Sequence, residues 1–411
     1  MKIKRIAITG IGIISCLGLE ITSVRESLKK GKSGIVLDSK RKELGFRSGL
    51  TATIKDFDPQ KVADRKTRKS LPDFGVWALA AIKQALQQAA LDNSILKNNE
   101  RVGLIFGNDS SAVTAVEQVE TLLRYKETKS IGSGHIFRLL NSTITLNIAT
   151  LLKLKGYCWT ISSACASGAM AIGQAAQAIT LGEQDIIICG GAQEISWQSM
   201  CSFDALGAFS LKEDEPEKAS RPFDNKRDGL VPSGGAAALI LESEKSVTAR
   251  GITPLGWILG YGTACDGYHI AVPDGTGIKN SMLKALHSSG LMSQDIDLIM
   301  AHATSTMVGD QVEAQSIWEI FKDKPLVAAT KSLTGHEFWM AGASQAVYSI
   351  IMCQDGFIAP NPNLDEPDSI SKKLNLVGKE LIRHKPRFIM CNASGFGGTN
   401  ASYILEINYN L

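Results

Sequence analysis

The sequence predicts an α/β protein whose sheets are largely parallel and buried on both faces. Three observations carry that prediction. Short apolar strands alternate with helical patterns through both halves of the 411 residues, as expected when helices cover both faces of a parallel sheet. The 38 glycines fall largely in short clusters, the punctuation of tight turns beside strands. The two halves look alike in outline: each opens on an apolar strand and carries a reactive-looking residue at the carboxyl end of a later one. No sequence repeat is visible, and no low-complexity tract or linker interrupts the chain. The division falls near residue 250, giving an N-terminal half over 1–250 and a C-terminal half over 251–411.

The elements follow in order. A buried strand over 3–9 turns through Gly10 and Gly12. The segment from Lys2 to Cys16 has some features of a secretion signal, but glycines recur in its apolar stretch and no polar linker follows, which favours the strand. A short helix covers 23–30 and a strand lies near 46–54. Residues 63–69 are strongly basic. An amphipathic helix over 72–91 has an apolar face at Trp77, Ala81 and Leu86. A strand over 101–106 ends at Gly107, and helices follow over 116–124 and 137–152. The run from Tyr157 is apolar and β-branched, stops at Ser162-Ser163, and is followed by Cys165 where a small-residue helix over 166–181 begins. In the second half, strands at 257–261, 298–303, 326–329, 387–391 and 401–407 alternate with helices at 277–289, 312–321 and 341–353.

Composition excludes several classes. The chain is 44% hydrophobic and 21% charged with a net charge of +3, ordinary for a globular protein and too weakly basic to argue for nucleic acid. No apolar run reaches the ~20 residues that span a bilayer. The eight cysteines are dispersed and form no C-x-x-C pair, which fits a reducing, cytoplasmic setting better than a disulfide framework. No clustered ligands point to a metal.

Four stretches carry the chemistry. Cys165 at a helix start gains a positive dipole end and free N–H groups, which favour a thiolate nucleophile. His302, in His302-Ala303-Thr304-Ser305-Thr306, and His336, in Lys331-Ser332-Leu333-Thr334-Gly335-His336, each stand just beyond a strand, where ligands of α/β sheets gather. Gly395-Phe396-Gly397-Gly398-Thr399-Asn400 is a glycine loop whose backbone can approach a ligand closely. Taken singly, each has a bland reading: a buried cysteine, a structural histidine, an ordinary turn.

In this order and spacing the four motifs resemble the β-ketoacyl-acyl-carrier-protein synthases, most of all the synthase I type, over nearly the whole chain. The resemblance implies the thiolase fold, with duplicated βαβαβαββ halves in an α/β/α/β/α layering, normally a homodimer. It implies a decarboxylative Claisen condensation: an acyl chain held on Cys165 is attacked by the carbanion from malonyl-acyl-carrier protein. His302 and His336 stabilise the enolate, Lys331 orders the pocket, and Phe396 gates it. The backbone N–H groups of Cys165 and Phe396 form the oxyanion hole. Thr304 and Thr306 hold the pantetheine arm, and Glu313 is the buried glutamate nearby. Ser110 falls where the family limits the acyl chain and, being small, permits a long pocket. No cofactor is resident; phosphopantetheine arrives on the acyl-carrier protein. Arg65, Lys66 and Lys69 match the patch that docks this acidic partner, with Arg124, Lys126 and Lys129 as possible additions.

The chain departs from the family at Ala303 for glycine, at Glu337-Phe338-Trp339-Met340 for a small-residue run, at Gln345 for glutamate and at Ser394 for phenylalanine. Trp339 is expected near the malonyl side. A thiolase would place a second cysteine in the last glycine loop, which holds Phe396 instead. A non-catalytic chain-length partner would lack Cys165.

Overall fold

The computed structural model describes residues 2–409. Its first half supplies five strands to the large sheet: β1 (Ile6–Ile14), β2 (Val102–Gly107), β3 (Cys158–Ile161), β4 (Ile186–Gln193) and β5 (Gly235–Glu242). They lie side by side in the order β3-β2-β4-β5-β1. The second half supplies β6 (Gly256–Cys265), β7 (Leu298–Met300), β8 (Leu326–Ala328), β9 (Phe388–Gly395) and β10 (Thr399–Ile407), in the order β8-β7-β9-β10-β6. Counted within its own half, each sheet reads third, second, fourth, fifth, first. The directions repeat too: the three strands on one side are parallel, and the fifth runs antiparallel to both its neighbours. This duplicated order is the thiolase fold. The sheets are therefore mixed rather than largely parallel. In the second half the cause is local: β9 and β10 form a hairpin across the loop at Phe396–Gly398.

The halves join edge to edge. Ile6–Ile8 of β1 pairs antiparallel with Gly256–Ile258 of β6, and a short strand at Asn375–Leu376 extends the far edge beyond β8. Three layers of helix cover the faces. Outside the first half lie α1 (Asp73–Gln88) and, further along the chain, α3 (Thr143–Leu152), which follows α2 (Ala112–Tyr125); α1 and α3 share one apolar cluster with β1, β2, β4 and β5. Between the sheets lie α4 (Ser167–Thr180) and α7 (Ala341–Gln354), in a second cluster drawn from both halves. Outside the second half lie α5 (Thr276–Ser289) and α6 (Met307–Phe321). The two inner helices meet at glycines: a Cβ on Gly342 would come within 2.5 Å of the Ala169 nitrogen, and one on Gly168 within 3.0 Å of the Ala343 nitrogen.

Two further sequence expectations change. β1 does not turn at Gly10 and Gly12 but continues through them, with a register shift between Ile8 and Gly10. A Cβ at Gly10 would stand 2.0 Å from the Ala85 carbonyl oxygen, and one at Gly12 1.9 Å from that of Ala81. Those glycines let α1 lie directly on the strand. The helix expected over 137–152 is two, His135–Leu139 and α3, because Leu140 is extended (φ −67°, ψ 143°).

The duplication places the chemistry. Cys165 lies between the third strand of its half and α4; His336 lies between the third strand of its half and α7. His302 follows the second strand of the second half, as Asp109 follows the second strand of the first. Equivalent turns of two similar units thus converge where the inner helices begin.

Candidate active site

Cys165 is buried, and His336 Nε2 lies 3.1 Å from its Sγ. The His302 and His336 rings stand 5.2 Å apart, centre to centre, and almost perpendicular. The thiol is presented by a strained turn, since Ala164 has φ +47°, in a region where side chains are disfavoured. Asp109 accepts from the Ala164 N–H at 2.9 Å. The Ser167 hydroxyl donates to the Ala164 carbonyl at 2.6 Å and accepts from the Ser163 N–H at 2.8 Å. These bonds hold the turn rigid.

The expectation that the helix start lowers the thiol pKa is not met. Burial pushes Cys165 up to about 12, and the charge of Lys331 opposes this only in part. Low dielectric penalises the charged thiolate. Both imidazoles are pushed well below their usual range, first by burial and then by Lys331, so both are neutral at physiological pH. The Phe338 N–H donates to His336 Nδ1 at 3.3 Å. With Nδ1 accepting, the single ring proton sits on Nε2, facing Cys165.

Glu313, on α6, accepts from the His302 N–H at 2.8 Å, the Ala303 N–H at 2.7 Å and Asn392 Nδ2 at 3.1 Å. The resemblance placed it among the substrate-binding residues, but it does not line the cavity; it fixes the turn that carries His302. The departure at Ala303 acquires a meaning here. Its φ is +22°, a value that glycine would adopt freely, and Glu313 holds it there. Lys331 is buried outside the cavity lining. Its Nζ and His302 Nδ1 have no hydrogen-bond partner among the described residues.

A cavity of about 400 Å³ reaches Cys165, His302 and His336 and is lined also by Thr304, Thr306 and Phe396. The two threonine hydroxyls are 3.1 Å apart. Phe396 is 37% exposed and stacks on Phe203 at 5.6 Å. Phe203 meets Phe338 edge-on at 4.9 Å, and Phe338 stacks on His336 at 4.6 Å. The sequence does not single out Phe203, although residues 196–210 around it are rich in sulfur and aromatic side chains. Ser394, another departure, donates to Asn400 Oδ1 at 2.6 Å, and Gln345 Nε2 donates to the Ala301 carbonyl at 2.8 Å.

The expectation drawn from Ser110 changes. The residue lies outside the cavity lining, and Trp339 Nε1 donates to its hydroxyl at 3.3 Å. The Trp339 indole thus stands against the small residue at 110, where the sequence leads us to expect open room for a long chain. Arg65, Lys66 and Lys69 sit apart from the site on the short helix Arg65–Ser70, all three exposed. Among the described residues no group of His, Cys, Asp or Glu could hold a metal, and no helix is long and apolar enough to cross a membrane.

The fold and this Cys-His-His arrangement define a condensing enzyme, and comparison with known proteins agrees. Residues 3–246 match the family described as Beta-ketoacyl synthase, N-terminal domain, and residues 255–365 the corresponding C-terminal domain. The chain is 38% identical to 3-oxoacyl-[acyl-carrier-protein] synthase 1 of Escherichia coli K12, over 98% of this chain and 99% of that one. It is 32% identical to 3-oxoacyl-[acyl-carrier-protein] synthase 2 of Vibrio cholerae, over 99% and 100%. Its structure is similar to that of a beta-ketoacyl synthase from Burkholderia phymatum, with a TM-score of 0.94, 32% identity and coverage of 98% and 100%. The chain belongs to the beta-ketoacyl synthase family. It is an acyltransferase of the kind that extends acyl chains by Claisen condensation.

Proposed function

We propose that Cys165 takes an acyl chain from acyl-carrier protein as a thioester and that malonyl-acyl-carrier protein extends it. The observation that carries this reading is the 3.1 Å approach of His336 Nε2 to Cys165 Sγ, with the second neutral imidazole beside it. Sγ attacks the acyl thioester carbon, and the thiol proton leaves with the pantetheine sulfur. The tetrahedral oxyanion needs two fixed donors. The N–H groups of Cys165 and Phe396 fill that role: the backbones abut, since a Cβ on Gly395 would lie 3.0 Å from the Cys165 nitrogen. A buried thiol held high suits this acyl carrier, because a thiolate appears only as it is consumed.

Malonyl-carrier protein then occupies the same cavity. Its carbon–carboxylate bond breaks, carbon dioxide leaves, and the electron pair forms an enolate on the thioester oxygen. His336, with its proton on Nε2, donates to that oxygen, and His302 donates beside it; two neutral donors stabilise the charge without protonating carbon. The carbanion attacks the Cys165 thioester carbon, the carbon–sulfur bond to Cys165 breaks, the β-ketoacyl group is left on the carrier protein, and the released thiolate takes a proton from solvent. Lys331 sets the local potential, and Glu313 and Asn392 hold the His302 turn. Thr304 and Thr306 give the phosphopantetheine arm its hydroxyl contacts, and Phe396 opens and closes the path. No resident cofactor takes part.

Docking falls to Arg65, Lys66 and Lys69, whose positive charge suits an acidic carrier protein. We also place the chain in a cytoplasmic homodimer. In α2 only Thr114 is buried, while Leu122, Leu123, Tyr125, Ile136 and Phe137 are exposed, and β3 is an open sheet edge with Trp159 exposed. An open edge beside so much exposed apolar surface calls for a partner. The eight cysteines are all unpaired, as in a reducing compartment.

The test is direct. Incubated with an acyl-carrier protein but no malonyl donor, the protein gains the acyl mass on the peptide holding Cys165. An adduct on another residue, or none with any acyl group, overturns the reading. Sedimentation reads the dimer; a monomer at micromolar concentration overturns that part.

A further inference from the structure

The aromatic cluster behind Cys165 carries an inference about which acyl groups the site takes. It rests on Cys165 being the acylated residue. The cluster joins Cys165 to Phe46, Met200, Phe209, Phe338 and Trp339, all buried. Phe338 lines the cavity, whereas Phe46, Met200, Phe209 and Trp339 lie outside its lining and pack with Phe338 and Cys165 in one cluster. An acyl chain growing from Sγ beyond the cavity therefore meets packed side chains.

Trp339 is held from several sides. Its indole N–H donates to the Ser110 hydroxyl, and its ring meets Phe338 edge-on at 5.6 Å. Its backbone is wedged where no side chain intrudes: a Cβ on Gly168 or Gly191 would lie 2.9 or 2.6 Å from the Trp339 carbonyl oxygen. The preceding Phe338 has φ +43°, a strained conformation that persists only when surrounding structure enforces it. The backbone cannot retreat, so a longer chain has to break the indole hydrogen bond and push the ring aside. Forcing extra methylenes into a packed core is costly.

We propose that Trp339, anchored by Ser110, is the floor of the acyl site and sets the longest chain that Cys165 accepts. Short acyl groups fit against Phe338 without moving the indole. Long saturated chains do not.

The experiment offers the purified protein acetyl-, butyryl-, octanoyl- and palmitoyl-carrier protein without malonyl donor and reads occupancy of Cys165 by mass. The wild type loads acetyl and butyryl groups readily and palmitoyl at least about tenfold less, a ratio ordinary for a pocket that excludes methylenes. In Trp339→Gly the palmitoyl-to-acetyl ratio rises about tenfold or more. Trp339→Leu, which keeps more of the core filled, raises it by less and serves if the glycine variant does not fold. Ser110→Ala raises it in the same direction by freeing the indole. A role confined to stability would lower all four loadings together and leave the ratio unchanged. Palmitoyl loading equal to acetyl in the wild type, or a ratio unmoved by the Trp339 variants, overturns the proposal. Absence of loading with every chain removes Cys165 as the acyl carrier, and the proposal falls with it.

Discussion

The ring proton of His336 faces the sulfur of Cys165, because the Phe338 N–H, donating to Nδ1 at 3.3 Å, leaves Nε2 as the protonated nitrogen 3.1 Å from Sγ. His336 is thus a donor rather than a base. His336→Ala should lower condensation by about a hundredfold or more, the usual cost of one donor to a developing oxyanion. Acylation of Cys165, measured separately with no malonyl donor, should fall far less. Equal loss in both half-reactions would show that His336 acts as a base on the thiol.

The neutrality of both imidazoles fixes the acid side of the pH profile. Their pKa values lie well below 6.5 in the folded protein, so kcat for condensation should hold as pH falls through 6.5, where an ordinary histidine would protonate. Stability moves the other way: the unfolded chain takes up protons near 6.5 that the folded chain refuses, so these groups make unfolding easier as pH falls through that value. A kcat profile with an acid limb at 6.5 or above would contradict the assignment.

Glu337 gives a second pH dependence of opposite sign. It is buried beside Ser344 and Tyr348, and burial pushes its carboxyl up to about 7. The folded chain keeps a proton that the unfolded chain has already lost, so the contribution is present at low pH and lost as pH rises through 7. Glu337→Gln should therefore gain stability relative to wild type between pH 6 and pH 8, by at most about 1.4 kcal/mol per pH unit. Melting temperatures at both values test this; a difference independent of pH would show that Glu337 is already ionised.

Docking should appear in KM. Arg65→Glu with Lys69→Glu, on the exposed helix, should raise KM for the carrier-protein substrate about tenfold and flatten its salt dependence while leaving kcat nearly unchanged. A pantetheine thioester lacking the protein should be used equally by both forms. An unchanged KM would place the docking patch elsewhere.

Strand-to-helix alternation was legible in the sequence because each element carries its own periodicity, and so were Cys165, His302 and His336 because each ends a readable strand. What was not legible depends on distant partners. Gly10 and Gly12 look like turn residues until Ala81 and Ala85 are seen lying against them. Trp339 and Ser110 are far apart in the chain, and nothing local shows that one stands against the other. The thiol pKa was not legible for the same reason: a helix start is visible in sequence, whereas the burial that raises the thiol comes from tertiary packing. The glycine expected after His302 is replaced by an alanine at φ +22°, a strain absorbed by Glu313, whose role as the anchor of that turn emerges only from its hydrogen bonds.

The most direct test of the central claim is the product formed from acyl- and malonyl-carrier protein by the wild type and by Cys165→Ala, followed by mass. The account predicts a β-ketoacyl-carrier protein two carbons longer than the acyl donor, formed by the wild type and absent with Cys165→Ala. The same product from the variant at a comparable rate would contradict it, because the acyl group would then never have rested on Cys165.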